Sequence, residues 1–209
     1  GKNLVGAFHQ PAAVMIDVET LATLAERDYA AGLAEVVKYG AIRDAAFLDW
    51  LETHAIDLLQ RRADVLEDAV ARAARHKIEV VEADEREAGQ RALLNFGHTF
   101  GHAVETATGY ERFRHGEAVA IGMCTAAALG VHLGELPRDA SQRLARLLDA
   151  LGLPNALPDD IAPETLVSHM RLDKKNRDGR IRLILLDAPG SARLRDDVDE
   201  HTLLEFLKS

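Results

Sequence analysis

The stretch "LLNFGHTFGHAVE", from Leu93 to Glu105, places two histidines four residues apart in a segment that is otherwise apolar and helix-like. At about 100° per residue, a helix here separates its polar side chains from its apolar ones. Five polar side chains fall within about 80° of one another: Arg91, Asn95, His98, His102 and Glu105. Arg, Asn and His are typical of ligand and metal binding, whereas solvated stripes usually carry Lys and Glu. The stripe therefore suggests a polar cavity, although HxxxH pairs also occur by chance on ordinary amphipathic helices.

Two glycines interrupt the same stretch, Gly97 and Gly101. Each costs a helix roughly 1 kcal/mol relative to alanine. Close approach by another backbone, or by a ligand, would compensate for that cost. The glycines therefore predict tight packing at this point.

Composition describes a globular protein and excludes some partners. The chain has 209 residues, 47% of them hydrophobic and 28% charged, with a formal net charge of −9. An acidic surface repels nucleic acid and anionic membranes unless a basic patch intervenes, and no long basic run is present. We therefore expect neither nucleic acid nor a membrane as a partner. The low aromatic content, 5%, together with abundant Ala and Leu, favours helix over strand.

The single cysteine, Cys124, permits no internal disulfide and no CxxC site, which favours a reducing compartment. Ala118–Leu133 is the most apolar run, but it is short and contains Thr125 and His132, so it predicts a buried helix. The chain begins "GKNLVGAFHQP", without an initiator methionine or a signal-peptide pattern. These features predict a cytoplasmic protein, and a domain taken from a longer chain.

Periodicity predicts a mainly α fold with a minor β contribution. Expected helices cover Ala22–Tyr39, Ala45–Leu59, Ala63–Ala83, the opening stretch, a segment from Glu117, Arg138–Leu151, and the tail from Asp199. Expected strands cover Ala13–Val18 and Arg180–Leu186, and "GLPNALPDDIAPE" is expected to be a connector.

Two further segments suggest a metal site. "RHGEAVAIGM" presents His115 at the start of a helix, and "AGLAEVVKYG" places Glu35 and Lys38 one turn apart in an apolar setting. A catalytic zinc takes three protein ligands and keeps one position open. One glutamate and two histidines satisfy that number, but spacing alone does not choose among His98, His102 and His115. A capping histidine and an ordinary surface ion pair are the simpler alternatives.

Five segments, in order, resemble the C-terminal domain of the 3-dehydroquinate synthases, within the sugar-phosphate cyclase superfamily. They are "GKNLVGAFHQP", "GLAEVVKYG", "ADEREAGQRALLNFGHTFGHAVE", "HGEAVAIGM" and "LDKKNRDG". The resemblance covers nearly the whole chain. It implies a mainly α, helical metal- and substrate-binding domain over residues 1–209 with a few short β-strands. It also implies that the N-terminal NAD-binding α/β domain is absent from this chain, in which no glycine-rich phosphate loop follows a strand.

The resemblance also assigns site residues. It implies Zn²⁺ or Co²⁺ held by Glu35, His98 and His115, with His102 in the substrate pocket rather than on the metal. The pocket residues it implies are Asn3, Lys38, Lys77, Glu87, Arg91, Asn95, His102, Lys174 and Lys175. The NAD⁺-lining residues it implies are Lys2, Thr20, Leu21, Ala22 and Thr23. Without the resemblance, the simpler interpretation of Lys77 is a charged residue on the solvent-exposed face of a helix. The simpler interpretation of "DKKNRDGR" is a polar turn.

The implied reaction is a step of the shikimate pathway, which leads to chorismate and the aromatic amino acids. It converts 3-deoxy-D-arabino-heptulosonate 7-phosphate into 3-dehydroquinate and phosphate. Its steps are transient oxidation by NAD⁺, β-elimination of phosphate, reduction, and intramolecular aldol closure. The full-length enzymes are homodimers, and we expect this chain alone to show no turnover.

Two alternatives remain at this point. One is another sugar-phosphate cyclase, of the 2-deoxy-scyllo-inosose or valiolone synthase type, which keeps the metal site and changes the pocket. The other is a non-catalytic helical module that binds metal or a protein partner. A partner surface would favour aromatic residues and Met over Arg, Asn and His.

Overall fold

A computed structural model of the protein describes residues 5–7, 9–84, 89–172 and 180–209. Within those ranges the α-helices are α1 Glu26–Arg43, α2 Ala45–Thr53, α3 Ala55–Leu59, α4 Ala63–Ala83, α5 His98–Ala107, α6 His115–His132, α7 Arg138–Ala150, α8 Pro163–Arg171 and α9 Glu200–Lys208. Two 3₁₀ helices cover Val18–Thr23 and Gln90–Asn95, and two antiparallel strands cover Leu183–Ala188 (β1) and Ser191–Arg195 (β2). The predicted mainly α fold is confirmed.

Helix α6 is the centre of the core. Its residues are buried almost without interruption from Gly116 to Gly130, because α1, α5, α7 and β1 pack around it. A helix enclosed on all sides must be apolar on all sides. The apolar run therefore forms a buried helix, as expected. Among the described residues, none of the helices is both long and apolar enough to cross a bilayer.

Glycines allow α5 and α6 to approach backbone to backbone. A Cβ atom added at Gly122 would lie 1.9 Å from the carbonyl oxygen of Gly97, and one added at Gly101 would lie 2.9 Å from that of Ala118. Both distances are shorter than any real Cβ contact. The tight packing predicted for Gly97 and Gly101 is therefore confirmed, and another backbone is what approaches them.

The prediction of one continuous helix through the opening stretch is wrong. The second 3₁₀ helix ends at Asn95, and α5 begins at His98. Gly97, between them, has a φ of +79°, a left-handed conformation that glycine adopts without strain. The break there turns the chain, so Arg91 and Asn95 do not continue the α5 stripe.

Other differences have equally local causes. Residues 13–17 form no strand, and Met15 there is 96% exposed, because no described strand lies beside them to accept their hydrogen bonds. The proline-punctuated connector is followed by α8, with Pro163 at its N-terminus, where a missing N–H costs nothing. Strand β2 was not predicted; it returns along β1 after a turn at Gly190, whose φ is +80°.

The α5–α6 contact predicts opposite effects of alanine at two helix-interior glycines. Gly122→Ala should destabilise the protein by about 2 kcal/mol or more, because the new methyl group meets backbone that cannot move aside. Gly32→Ala is the matched control on α1. It meets nothing within 4 Å and should stabilise the protein by about 0.5–1 kcal/mol. Urea unfolding followed by circular dichroism measures both, and equal effects would contradict the packing described.

Candidate metal centre

Three side chains from three helices converge at one end of the core. Glu35 projects from the middle of α1, His98 is the first residue of α5, and His115 is the first residue of α6. Their ligand-type atoms all lie within 4.8 Å of one another. The three residues named by the resemblance are thus brought together, although Glu35 lies more than 60 residues before the two histidines in the chain.

The tautomer of His98 follows from its hydrogen bond. Its Nδ1 lies 3.1 Å from the carbonyl oxygen of Phe96, which only accepts, so Nδ1 carries the proton. The lone pair of Nε2 then faces Oε1 of Glu35 at 3.5 Å. That oxygen is buried, and no donor among the described residues hydrogen-bonds to it. The contact is therefore favourable only if a proton or a metal cation lies between the two atoms.

The separation of these atoms suits such a cation. Tetrahedral zinc ligands about 2.0–2.2 Å from the metal lie about 3.3–3.6 Å from one another. The distance between His98 Nε2 and Glu35 Oε1, 3.5 Å, falls in that range. Carboxylate and imidazole are also the donor types that a catalytic zinc or cobalt uses. The residues therefore fit a metal ion.

Lys38 keeps Glu35 ionised and in place. Its ammonium group is buried and donates to Oε2 of Glu35 at 2.5 Å, which leaves Oε1 for the centre. Burial raises the pKa of Glu35, but Lys38, His98 and His115 together lower it below its usual value. Burial lowers the pKa of Lys38 despite the Glu35 carboxylate, and the nearby Lys77 lowers it further. Because Lys38 is buried and Glu35 only partly exposed, the pair is not the surface ion pair of the simpler alternative.

The "HGE" motif fixes the start of α6 against α1. Gly116 packs so closely that an added Cβ would lie 1.8 Å from the carbonyl oxygen of Ala31. Glu117 is buried and accepts from Arg27 at 2.6 and 2.7 Å, and this hydrogen bonding lowers the pKa of its carboxyl group. Both contacts hold His115 at a set distance from Glu35. Sequence reasoning did not assign roles to Gly116 or Glu117, because their partners lie on a distant helix.

His102 adds a third imidazole to the cluster. Its ring centroid lies 5.5 Å from that of His98 and 5.9 Å from that of His115. A second set of potential ligands, His102, Glu105 and His115, also has its atoms within 4.8 Å of one another. Both sets include His115. The distances alone therefore do not decide whether Glu35 and His98, or His102 and Glu105, would bind a metal together with His115.

The remaining predicted pocket residues that the structure describes lie on other elements. Lys77 is exposed on α4, and its positive charge lowers the pKa of Lys38. Arg91 and Asn95 lie on the second 3₁₀ helix, which packs against α1 and α4. Asp84 holds the start of this segment by accepting from the backbone N–H of Arg91 at 3.0 Å. Five predicted residues lie outside the described residues: Lys2, Asn3, Glu87, Lys174 and Lys175.

Thr20, Leu21, Ala22 and Thr23 form most of the first 3₁₀ helix, which a single arginine holds in place. The Arg61 guanidinium donates to the carbonyl oxygens of Leu21 at 3.0 Å, Ala22 at 2.8 Å and Leu24 at 2.7 Å. It also lies 4.5 Å from the ring centroid of Tyr29. Arg61 itself has a φ of +55°, unusual for a residue with a Cβ. The sequence carries no signal for this role, because the groups that accept its hydrogen bonds are backbone carbonyls about 40 residues away.

Removing this guanidinium should loosen the segment without unfolding the protein. We expect Arg61→Ala to speed amide hydrogen exchange at Leu24 by about fivefold or more, since each hydrogen bond from a charged donor contributes on the order of 1 kcal/mol. Arg72→Ala is the matched control, because Arg72 also stacks on an aromatic ring, that of Trp50 at 5.0 Å. Exchange by mass spectrometry measures both. Equal protection of residues 18–24 in the two variants would refute the role of Arg61.

Family comparisons agree on one group of enzymes. The family model described as 3-dehydroquinate synthase C-terminal matches residues 32–176, and the one described as 3-dehydroquinate synthase N-terminal matches residues 1–31. The curated 3-dehydroquinate synthase of Halorhodospira halophila is 54% identical over 207 residues, covering 99% of this chain and 58% of that protein. That of Xylella fastidiosa (strain M12) is 51% identical over 212 residues, covering 99% and 57%.

Two solved structures share the fold. One is 2-epi-5-epi-valiolone synthase from Streptomyces hygroscopicus subsp. jinggangensis 5008 with NAD⁺ and Zn²⁺ bound, at a TM-score of 0.87 and 30% identity, covering 99% of this chain and 57% of that one. The other is 2-deoxy-scyllo-inosose synthase complexed with carbaglucose-6-phosphate, NAD⁺ and Co²⁺, at 0.82 and 26%, covering 98% and 58%. The chain therefore spans somewhat more than half the length of the proteins it matches.

Proposed function

The chain belongs to the 3-dehydroquinate synthase family, and on that premise we propose that it is the metal- and substrate-binding part of a 3-dehydroquinate synthase. The proposed reaction converts 3-deoxy-D-arabino-heptulosonate 7-phosphate into 3-dehydroquinate and phosphate. One observation carries the proposal. Oε1 of Glu35 is buried, accepts no hydrogen bond from any described residue, and lies 3.5 Å from Nε2 of His98 within the Glu35–His98–His115 cluster, which suits a metal centre.

In this proposal Glu35, His98 and His115 hold zinc or cobalt. The bound ion supplies Lewis acidity and a template for neighbouring hydroxyl groups of the substrate. Lys38 keeps the Glu35 carboxylate ionised and oriented through its hydrogen bond to Oε2. His102, whose ring lies beside those of both histidine ligands, is placed to accept or donate a proton in the reaction.

The substrate carries a carboxylate and a phosphate, so the pocket needs local positive charge although the protein is acidic. Arg91 suits the carboxylate, because its planar guanidinium donates two parallel hydrogen bonds. Lys38 and Lys77 add two cationic groups near the metal centre. We assign phosphate binding to Lys174 and Lys175, and further substrate contacts to Asn3, Glu87 and Asn95.

The NAD⁺ contribution of this chain is proposed to be the first 3₁₀ helix, residues Thr20 to Thr23, together with Lys2. Residues 1–209 then form the C-terminal domain, and a dinucleotide-binding α/β domain outside this chain supplies the rest of the NAD⁺ site. The first 3₁₀ helix suits such a contact, because Arg61 fixes its backbone while its side chains stay largely exposed. The complete enzyme is proposed to be a homodimer.

Another cyclase activity is the second candidate, favoured by the fold shared with the valiolone and 2-deoxy-scyllo-inosose synthases. Sequence identity separates the two candidates. Identity to the curated dehydroquinate synthases is 54% and 51%, against 30% and 26% to the two cyclases. The dehydroquinate synthase assignment is therefore preferred.

Metal binding by the 209-residue chain is the first test. We expect the metal-stripped chain to bind one zinc ion per molecule by titration calorimetry, and His98→Ala or His115→Ala to weaken binding about 100-fold or more. His201→Ala is the matched control, because that side chain is 82% exposed on α9. Binding should weaken as the pH falls, because protonated imidazole cannot act as a ligand. Full affinity in both ligand variants would contradict the assignment.

Turnover tests the division between domains. We expect no product from the chain with NAD⁺, zinc and heptulosonate phosphate, because most of the dinucleotide site lies elsewhere. Fusion to the part of the Halorhodospira halophila synthase that this chain does not match should restore phosphate release. Glucose 6-phosphate and sedoheptulose 7-phosphate are the comparison substrates. Turnover by the unfused chain, or a preference of the fusion for either comparison substrate, would overturn the corresponding part of the proposal.

A further inference from the structure

Glu105 is a buried acidic residue to which the proposed reaction gives no role. It lies on α5, and its side chain is 10% exposed. Its Oε1 lies 3.1 Å from Nδ1 of His115 on α6. Burying a carboxylate is costly unless it is hydrogen-bonded or paired, and the contact with His115 provides that partner.

His115 is the least constrained of the three proposed ligands. Its side chain is 51% exposed, whereas that of His98 is 12% exposed and bonded to the backbone of its own segment. The His115 ring packs against the rings of His98 and His102, and this packing leaves about half of the side chain uncovered. The hydrogen bond to Glu105 can set the orientation of the ring, because a carboxylate accepts the Nδ1 proton and leaves the Nε2 lone pair available.

We propose that Glu105 is a positioning residue of the metal centre, whose carboxylate fixes the tautomer and orientation of His115 so that Nε2 faces Glu35 and His98. The inference rests on the proposed metal site. Such a partner also raises the basicity of a histidine ligand.

Because Glu105 lies on α5, this helix positions two of the proposed ligands, His98 and His115. Seven residues, two helical turns, separate Glu105 from His98, so both side chains lie on nearly the same side of α5. Helix α5 thus holds His98 directly and His115 through Glu105. The close α5–α6 contact at Gly97, Gly101 and Gly122 keeps the two histidines at a constant separation.

A direct ligand role for Glu105, with His102 and His115, is the competing interpretation. The hydrogen bonds distinguish the two. Oε1 of Glu105 already accepts from His115, whereas Oε1 of Glu35 has no described donor. The described contacts therefore favour Glu35 as the metal ligand and Glu105 as the hydrogen-bond partner of the ligand His115.

The test compares Co²⁺ binding by the 209-residue chain with that of Glu105→Gln and Glu105→Ala. Glu111→Gln, in the exposed loop after α5, is the matched control. Affinity is measured by calorimetry, and the ligand set by the visible absorption spectrum of bound Co²⁺. We expect Glu105→Ala to weaken binding about 10- to 100-fold and Glu105→Gln less, because the amide oxygen still accepts from Nδ1. The spectrum of Glu105→Gln should match that of the parent, since no ligand is lost.

Each other outcome overturns the inference in a recognisable way. Unchanged affinity in Glu105→Ala, with or without a lower unfolding temperature, would mean that Glu105 has only a structural role and would leave the metal site standing. A spectrum in Glu105→Gln that reports a lost ligand would make Glu105 a direct ligand. No Co²⁺ binding by the parent would overturn the metal site and this inference together. If Glu105→Ala does not fold, Glu105→Gln carries the comparison, and parental affinity in it would count against the inference.

Discussion

The backbone contact between α5 and α6 is the constraint on which the structure depends. Gly122 lies so close to the carbonyl oxygen of Gly97 that no side chain fits between them. The same contact requires the turn at Gly97 that begins α5 at His98, and the ring centroid of His115, the first residue of α6, lies 5.3 Å from that of His98. A packing requirement in the core thereby helps to bring the two histidine rings together.

Charged side chains determine how α1 is attached to α5 and α6. Lys38 is buried on α1 and bonds one oxygen of Glu35, so the carboxylate is ionised and its other oxygen faces His98 and His115. The start of α6 is tied back to α1 by Arg27 and Glu117. Each helix is thus fixed to the others by contacts just outside the centre, and a cation can bind without large rearrangement.

Local sequence patterns correctly predicted features that depend on neighbouring residues alone. These are the mainly α class and helices such as Ala63–Ala83, whose observed bounds match the predicted ones. The continuous helix through Asn95 was wrong because the left-handed turn at Gly97 serves packing against α6, which periodicity does not register. Spacing could not choose among the histidines; the resemblance supplied that choice, and the structure brings its three residues together. The hydrogen bonds of Arg61 and Glu105 were not predicted, because their partners lie on other segments.

Anomalous X-ray diffraction at the zinc edge, from crystals of the zinc-loaded chain, tests the central claim most directly. We expect a single peak about 2.0–2.2 Å from Oε1 of Glu35, Nε2 of His98 and Nε2 of His115. A peak bound instead by His102, Glu105 and His115, or no peak at this end of α5 and α6, would contradict it.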